Sequence, residues 1–222
     1  VGTGPFEFGE WKKGNQVTLT RNPNYWGEKP ALETVTFRFI SDAQAQAAAL
    51  TSGGVDAIPE FAAPELVSTF ETNDAFEVVP GTTGMEVVAG MNNAKPPFDD
   101  RRVRRALMMA IDRQAIIDAT NSGYGTPIGS HFSPSDAGYE DLTGVLPYDP
   151  EQAKALLAEV GYGDGLQFTI KAPNRGYAER AAEIMQAYFA QIGVTATIES
   201  SEFPAKWLQD VFKDTNYDMT II

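Results

Sequence analysis

Few side chains in this sequence could carry out chemistry, and they do not assemble into a catalytic set. His131 is the only histidine and cysteine is absent, which excludes a thiol nucleophile, a disulfide and a cysteine metal site. A serine–histidine–acid arrangement would need His131, yet no Gly-x-Ser-x-Gly turn is present. The Gly2-Thr3-Gly4 turn lacks the lysine and hydroxyl residue of a phosphate-binding loop. We therefore expect a protein that is not an enzyme and needs no cofactor and no metal.

The strongest cluster of charge lies around position 100. Asp99 and Asp100 could form a metal pair, but acids before a helix are favoured by its dipole, and we expect a helix cap. Four arginines between positions 101 and 105 give the helix a basic face. The whole chain has a net charge of −13, which repels phosphates, so we expect salt bridges and no nucleic-acid partner. No apolar run reaches the roughly 18 residues of a membrane span.

The first half of the sequence predicts strands and two helices. Alternating apolar residues predict three strands within residues 1–40, and Asp42 caps an alanine-rich helix over 43–50. A strand over 55–58 would complete a strand–helix–strand unit. A small helix over 64–71 and strands over 76–79 and 85–91 are expected next.

The second half predicts an α/β sheet with covering helices. Asp99 or Asp100 and then Asp112 begin two helices, and a long loop over 121–148 follows. Asp149 and Pro150 begin a helix that Gly161 closes. Strands over 166–172, 194–199 and 217–222 alternate with helices over 177–192 and 203–212. This β-α-β-α-β order favours a parallel or mixed sheet.

An ordered series of segments resembles the extracellular solute-binding proteins of family 5, which feed peptides, nickel and other solutes to ABC importers. The segments that resemble this family are Gly2-Thr3-Gly4-Pro5, Arg21-Asn22-Pro23-Asn24-Tyr25-Trp26, Leu50-Thr51-Ser52-Gly53-Gly54-Val55-Asp56, residues 92–113, Tyr148-Asp149-Pro150-Glu151-Gln152-Ala153, and Ile192-Gly193-Val194. Gly54 replaces the acidic residue usual in the family. The resemblance extends over the whole chain.

The resemblance implies the two-lobe fold of a type II periplasmic binding protein. Residues 1–90 would be part of the first lobe and residues 91–222 most of the second, with a hinge near residues 87–97. Both ends look cut, so we expect an incomplete fragment of a longer chain. The parent protein would lie outside the cytoplasmic membrane, either periplasmic or anchored to the cell surface as a lipoprotein through a missing segment.

The function implied is capture of a solute, most simply a peptide or related small molecule, and delivery to ABC permease subunits. We expect a monomer. Two rivals remain open at this point: a solute sensor or chaperone-like binding protein on the same fold, and an α/β hydrolase. Gene neighbours would separate importer from sensor, and turnover abolished by His131→Ala would favour the hydrolase.

The candidate ligand-binding residues lie in three connections of the predicted fold. Ligands bind at the carboxyl ends of strands in open α/β sheets, and the connection after the strand over 166–172 is such a place. The resemblance implies that Arg175 there contacts an anion, since some peptide-binding members of the family use an arginine in this neighbourhood for a carboxylate; the alternative is a solvated loop cation. The candidate residues are Thr83, Met85 and Glu86 beside the hinge strand, His131 and Phe132 in the long loop, and Asn174, Arg175 and Tyr177 after the strand.

Overall fold

A computed structural model describes residues 2–61 and 63–222, and the chain divides into two compact units. These units are Val1–Phe76 and Glu77–Ile222. The lobe boundary at residue 90 and the hinge near residues 87–97 stay predictions. Within the described residues, no helix has the length and apolar character needed to cross a membrane.

The first unit contains a three-stranded antiparallel sheet, as the alternating pattern predicts. Its strands are β1 (Phe6–Lys12), β2 (Gln16–Arg21) and β3 (Thr34–Arg38), in that order. Pairing aligns Trp11, Val17 and Phe37 in one row across the sheet, so their side chains share a face. The two aromatic side chains of this row are more than half exposed. The apolar alternation therefore marks a sheet face, although the aromatic side chains on it remain accessible to solvent.

Two helical segments follow in the first unit, and one expected strand is missing. Helix α1 (Ala43–Thr51) is capped by Asp42, whose side chain accepts a bond from the Ala45 N–H at 2.7 Å. The prediction of a strand over 55–58 is wrong, because Gly54 and Val55 both donate their N–H groups back to the Ala49 carbonyl. A 3₁₀ turn (Pro64–Leu66) and α2 (Val67–Glu71) confirm the small helix.

The second unit contains a mixed four-stranded sheet. Its strands are β4 (Ala89–Met91), β5 (Leu166–Pro173), β6 (Val194–Ser201) and β7 (Met219–Ile221), in the spatial order β4-β7-β5-β6. Strand β5 runs parallel to β6 and β7, whereas β4 is antiparallel to β7. The sequence predicted a parallel or mixed sheet, and the sheet is mixed.

The sequence predicts more strand near the start of this unit than the structure contains. Residues 76–79 form no strand, and Val79 is 76% exposed. Of residues 85–91, only the three of β4 form a strand, although Val88 also exchanges two backbone hydrogen bonds with Ile222, at 2.8 and 3.1 Å. An apolar run becomes a strand only where a partner strand is present, and β4 meets a β7 that is itself three residues long.

Five helices belong to the second unit, and aspartates cap three of them. The helices are α3 (Arg101–Met109), α4 (Arg113–Asn121), α5 (Pro150–Glu159), α6 (Gly176–Gln191) and α7 (Ala205–Leu208), and a π-helical turn (Gln209–Lys213) follows α7. Asp100, Asp112 and Asp149 cap α3, α4 and α5 as predicted. The expected helix over 203–212 begins later, because Phe203 lies outside α7.

The main core of this unit lies between one face of the sheet and helices α3, α5 and α6. Phe98, Phe168 and Phe189 form a continuous stack at its centre, with ring centroids 5.1 and 5.5 Å apart. Phe168 belongs to β5, so this packing fixes the strand from below. The carboxyl end of β5, where the candidate residues lie, is thereby carried on a rigid element.

The cap of α5 provides a first test of this local structure. We expect Asp149→Ala to lower the free energy of unfolding by about 1 kcal/mol, because the Gln152 N–H loses its acceptor at 2.9 Å. Asp149→Ser should retain most of the stability, since serine is also a good cap. Urea unfolding of both variants measures the difference, and equal losses would show that the cap contributes nothing.

Candidate functional site

The carboxyl ends of β5 and β6 are joined by Asn174. The Asn174 N–H donates to the Ser201 carbonyl at 2.9 Å, and the Asn174 Oδ1 accepts from the Phe203 N–H at 2.8 Å. These bonds form because β5 and β6 are parallel and end in register, with Pro173 opposite Ser201. Asn174 therefore has a structural task that links two strand ends and sets the position of Phe203.

Arg175 lies beside this link, at the N-cap position of α6. Its guanidinium carbon is 4.9 Å from the centre of the Phe203 ring, a cation–π arrangement. Among the described residues, no carboxylate lies within ion-pair distance of Arg175. This contact places the guanidinium over the Phe203 ring, and its N–H groups have no carboxylate partner among the described residues. Such a group is suited to bind a carboxylate through two parallel hydrogen bonds.

Tyr177 and Ser201 also lie at this edge of the sheet. Tyr177 belongs to the first turn of α6 and is 37% exposed. The Ser201 side chain is 1% exposed, and its hydroxyl has no hydrogen-bond partner among the described residues. We call Asn174, Arg175, Tyr177 and Phe203 the strand-end group. Asn174 and Arg175 lie in the connection after β5 as predicted, whereas Tyr177, predicted in the same connection, lies within α6.

The remaining candidates form a second group in two loops. A Cβ placed on Gly84 would lie 4.0 Å from the Ser133 hydroxyl oxygen, so the loop that contains Thr83 and Met85 approaches the loop after His131. Ser133 is held in place because its N–H and its hydroxyl both donate to Asp136 at 2.8 Å. The structure thus brings these two predicted segments close to each other.

The side chains of this second group are largely open to solvent. Met85 is 72% and Phe132 is 52% exposed, His131 is exposed as well, and Glu86 is half-buried. The Thr83 hydroxyl oxygen accepts from the Met85 N–H at 3.4 Å. Across the described part of the chain, no hydrogen bond, ion pair or ring contact joins this loop group to the strand-end group. The predicted residues therefore form two clusters and not one.

A buried ionic network lies on the face of β5 opposite the main core, and the sequence did not indicate it. The Lys171 ammonium is 3.0 Å from an Asp210 oxygen and 3.2 Å from a Glu199 oxygen. Asp210 also accepts from Lys206 at 2.7 Å, one helical turn away. Lys171 and Asp210 are nearly inaccessible, whereas Glu199 and Lys206 reach solvent. The network therefore runs from the interior to the surface.

The charges of this network stabilise one another. Burial opposes the charge of Lys171, but its hydrogen bonds to Asp210 and Glu199 outweigh burial and raise the pKa of the Lys171 ammonium. The hydrogen bond from Lys206, and next that from Lys171, hold the pKa of Asp210 below its ordinary value. Both groups are consequently ionised at neutral pH.

The network is tied into the sheet through Trp207 and Thr220. The Trp207 Nε1–H donates to the Thr220 hydroxyl at 3.0 Å, and that hydroxyl donates to the Lys171 carbonyl at 2.7 Å. These bonds anchor α7 and the π-helical turn against β5 and β7. The face of the sheet opposite the main core is thus closed by polar contacts as well as by Trp207.

Two surface depressions in the second unit lie away from the predicted residues. One, of about 420 Å³, lies between α4 and α6 and is lined by Ala115, Glu183 and Tyr188 among others. The other, of about 180 Å³, lies between α3 and α5. Within residues 2–61 and 63–222, no group of three or more histidine, cysteine or acidic side chains is placed to hold a metal ion.

Comparison with known proteins assigns the family. The chain belongs to the bacterial extracellular solute-binding proteins, family 5, whose middle-region model matches residues 1–222. It is 34% identical over 207 residues to the glutathione-binding protein GsiB of Salmonella typhimurium, which covers 91% of this chain and 40% of that protein. The Escherichia coli K12 protein of the same name is 32% identical over 207 residues. The chain therefore spans about 40% of the length of these curated relatives.

Solved structures give the same fold. The chain matches a dipeptide-binding protein from Pseudoalteromonas sp. SM9913, in complex with Met-Leu, with a TM-score of 0.79 and 28% identity over 100% of this chain and 44% of the other. It matches NikA from Brucella suis, in complex with Fe(III)-EDTA, with a TM-score of 0.88 and 24% identity over 100% of this chain and 47% of the other, a likeness of fold alone. The family and the type II α/β fold class predicted from sequence are confirmed.

Proposed function

We propose that the native protein is the substrate-binding component of an ABC importer. It captures a peptide or related small molecule outside the cytoplasmic membrane and delivers it to the permease subunits. It performs no chemistry on the solute and acts as a monomer, in the periplasm or anchored to the cell surface. Family membership over residues 1–222 and the open strand-end group support this proposal.

The observation that carries the proposal is Arg175. Its guanidinium lies over the Phe203 ring and has no carboxylate partner among the described residues, at the end of the sheet where α/β folds bind ligands. The relatives' names mention glutathione and a complex with Met-Leu. Both of those molecules end in a free carboxylate, the group that an arginine fork binds best. We assign Arg175 to the solute carboxylate.

The other candidate residues receive supporting roles in this proposal. Asn174 positions Phe203, and Tyr177 offers a hydroxyl beside Arg175. The loop group, with Thr83, Met85, Glu86, His131 and Phe132, contributes further contacts to the solute. Binding stabilises the conformation in which more of these contacts are made, since a ligand shifts an equilibrium only through its difference in affinity for the two states.

The proposal is tested on the full-length native protein by calorimetry and thermal shift. We expect glutathione or a dipeptide such as Met-Leu to stabilise the wild type, by about 2.7 kcal/mol at a hundredfold excess over the dissociation constant. Arg175→Ala should weaken binding of the free acid about 10- to 100-fold, as expected for loss of a charge-assisted contact. Binding of the corresponding C-terminal amide should change little.

A matched control separates this contact from a general effect of charge. Lys154 on α5 is exposed, and Lys154→Ala removes the same charge at a position outside both groups. It should leave the affinity unchanged. Equal affinity of Arg175→Ala and wild type for the acid would exclude Arg175 as the anchor. No stabilisation by any peptide would contradict the proposed function itself.

A further inference from the structure

A small groove between α3 and α5 combines positive charge with apolar surface. Its volume is about 180 Å³. The lining includes Arg101, Arg102, Arg105, Val145, Gln152 and Leu156. Among the described residues that line it, none is acidic. We call this surface the α3–α5 groove.

The arginines of α3 differ in what they bind. Arg102 pairs with Asp100 at 2.7 Å, and Arg104 donates to the Phe98 carbonyl, so both are committed to the fold. The side chains of Arg101 and Arg105 are exposed and, within the described part of the chain, take part in no ion pair or hydrogen bond. They lie four residues apart and therefore on the same side of the helix. The fold thus leaves two adjacent guanidinium groups open at the groove.

Two adjacent arginine side chains without acidic partners are unexpected in a chain with so many acidic residues. Thirty acidic residues face 17 basic ones, yet neither Arg101 nor Arg105 has an acidic neighbour within ion-pair distance in the described residues. The local charge is thus opposite in sign to that of the whole molecule. A complementary surface must carry negative charge, and Val145 in the lining, 63% exposed, adds an apolar contact.

The small volume of the groove favours a protein partner over a small-molecule solute. Sites for small ligands usually enclose about 300–1,000 Å³. The α3–α5 groove is smaller, about 180 Å³, and is suited to one apolar side chain of a partner between flanking carboxylates. Arginine is also enriched where protein surfaces bind each other.

We propose that the α3–α5 groove docks an acidic segment on the extracytoplasmic face of the permease, with Arg101 and Arg105 binding its carboxylates. This rests on the proposed importer function and adds the surface through which the partner is recognised. The strand-end group binds the solute through different residues, so docking and solute capture should be separable by mutation.

The test uses the full-length native protein and its permease–ATPase complex in liposomes. Arg101→Glu/Arg105→Glu should raise the binding-protein concentration needed for half-maximal stimulation of ATP hydrolysis at least tenfold. Solute affinity, measured by calorimetry, should stay within twofold of wild type. The control Lys29→Glu/Lys213→Glu makes the same change of charge at exposed sites outside the groove and should behave as wild type. Arg101→Gln/Arg105→Gln, a milder change, should give an intermediate shift.

Each other result overturns the inference in a recognisable way. Unchanged stimulation by the glutamate variant excludes the groove as the docking surface. Loss of solute affinity together with stimulation assigns the groove to the solute site or to folding. Thermal stabilisation of wild type but not of the variant by inorganic phosphate identifies a small-anion site. If wild type binds solute but never stimulates hydrolysis, the importer function fails first, and the docking proposal fails with it.

Discussion

Lys171→Met should lower the free energy of unfolding of the second unit by about 3 kcal/mol, the lower end of the range for breaking a buried ion pair. The substitution keeps the length of the side chain but leaves Asp210 in a nearly inaccessible position without its interior partner. Lys206 still binds Asp210 at 2.7 Å, which is why we expect the lower end. Hydrogen exchange of the β5, β6 and β7 amides should accelerate roughly a hundredfold.

Lys206→Met is the matched control. The substitution removes the same charge from the same carboxylate. The Lys206 side chain is 58% exposed, however, so its loss should lower the free energy of unfolding by less than about 1 kcal/mol. Lys171→Met/Asp210→Leu should recover much of the lost stability, because replacing both partners of a buried pair by apolar groups is often nearly neutral. If Lys171→Met costs no more than Lys206→Met, the interior pair does not stabilise the sheet.

The pH dependence of stability follows from the same pair. The pKa of Asp210 is lowered in the folded state, so its contribution is complete above the unfolded value of about 4 and is lost as the pH falls through the folded pKa. The pKa of Lys171 is raised, so its contribution is complete below about pH 10 and is lost as the pH rises through the folded pKa. The stability of wild type relative to the double variant should therefore be highest near neutral pH and fall on both sides.

The sequence could not indicate this network because its members are far apart in the chain. Lys171 lies within a strand that reads as apolar, and its partner Asp210 follows 39 residues later. Periodicity reports which face of an element is buried, but it does not report which charge meets which. The π-helical turn that presents Asp210 also has no composition signal that distinguishes it from the helix predicted over 203–212.

The strand-end group was predictable to a greater extent, and for a physical reason. The β-α-β order over residues 166–201 requires parallel neighbours, and parallel strands end at one edge of a sheet. The positions of Asn174 and Arg175 at that edge follow from this rule, whereas the role of Arg175 as an anion contact came from the family resemblance. Phe203 was assigned to a helix because its apolar spacing suits one, but the Pro204 that follows disfavours helical backbone at Phe203.

Two short apolar runs were predicted as strands but form none, and both for the same reason. Residues 55–58 and 76–79 are each bounded by turn-forming or polar residues and are indistinguishable in pattern from real strands of that length. A strand also needs a partner with free backbone groups. The Val55 N–H is already bound to Ala49, and residues 76–79 meet no partner strand in the described chain.

Phe168→Ala should cause the other large loss, about 3–5 kcal/mol, because it empties the centre of the Phe98–Phe168–Phe189 stack. Phe168 is 5% exposed, and both neighbouring rings are fully buried. Solvent therefore cannot enter the cavity that the substitution leaves. Two edge-to-face ring contacts are lost as well. Urea unfolding and hydrogen exchange of β5 and α6 measure the loss.

Two variants control for this substitution. Phe212 is 68% exposed, so Phe212→Ala removes the same ring from the surface and should cost about 1 kcal/mol or less. Phe168→Leu refills most of the volume and should recover most of the loss. If Phe168→Ala and Phe212→Ala cost the same, the stack is not the core that holds β5.

The Phe168 variant also separates stability from recognition. Phe168 lies seven residues before Arg175, roughly 23 Å along an extended strand, so it touches neither Arg175 nor Phe203. Below the unfolding transition, Phe168→Ala should therefore bind solute within a few-fold of wild type, whereas Arg175→Ala should lose affinity and keep its stability. These opposite outcomes follow from a strand that is fixed by packing at one end and carries the candidate binding group at the other.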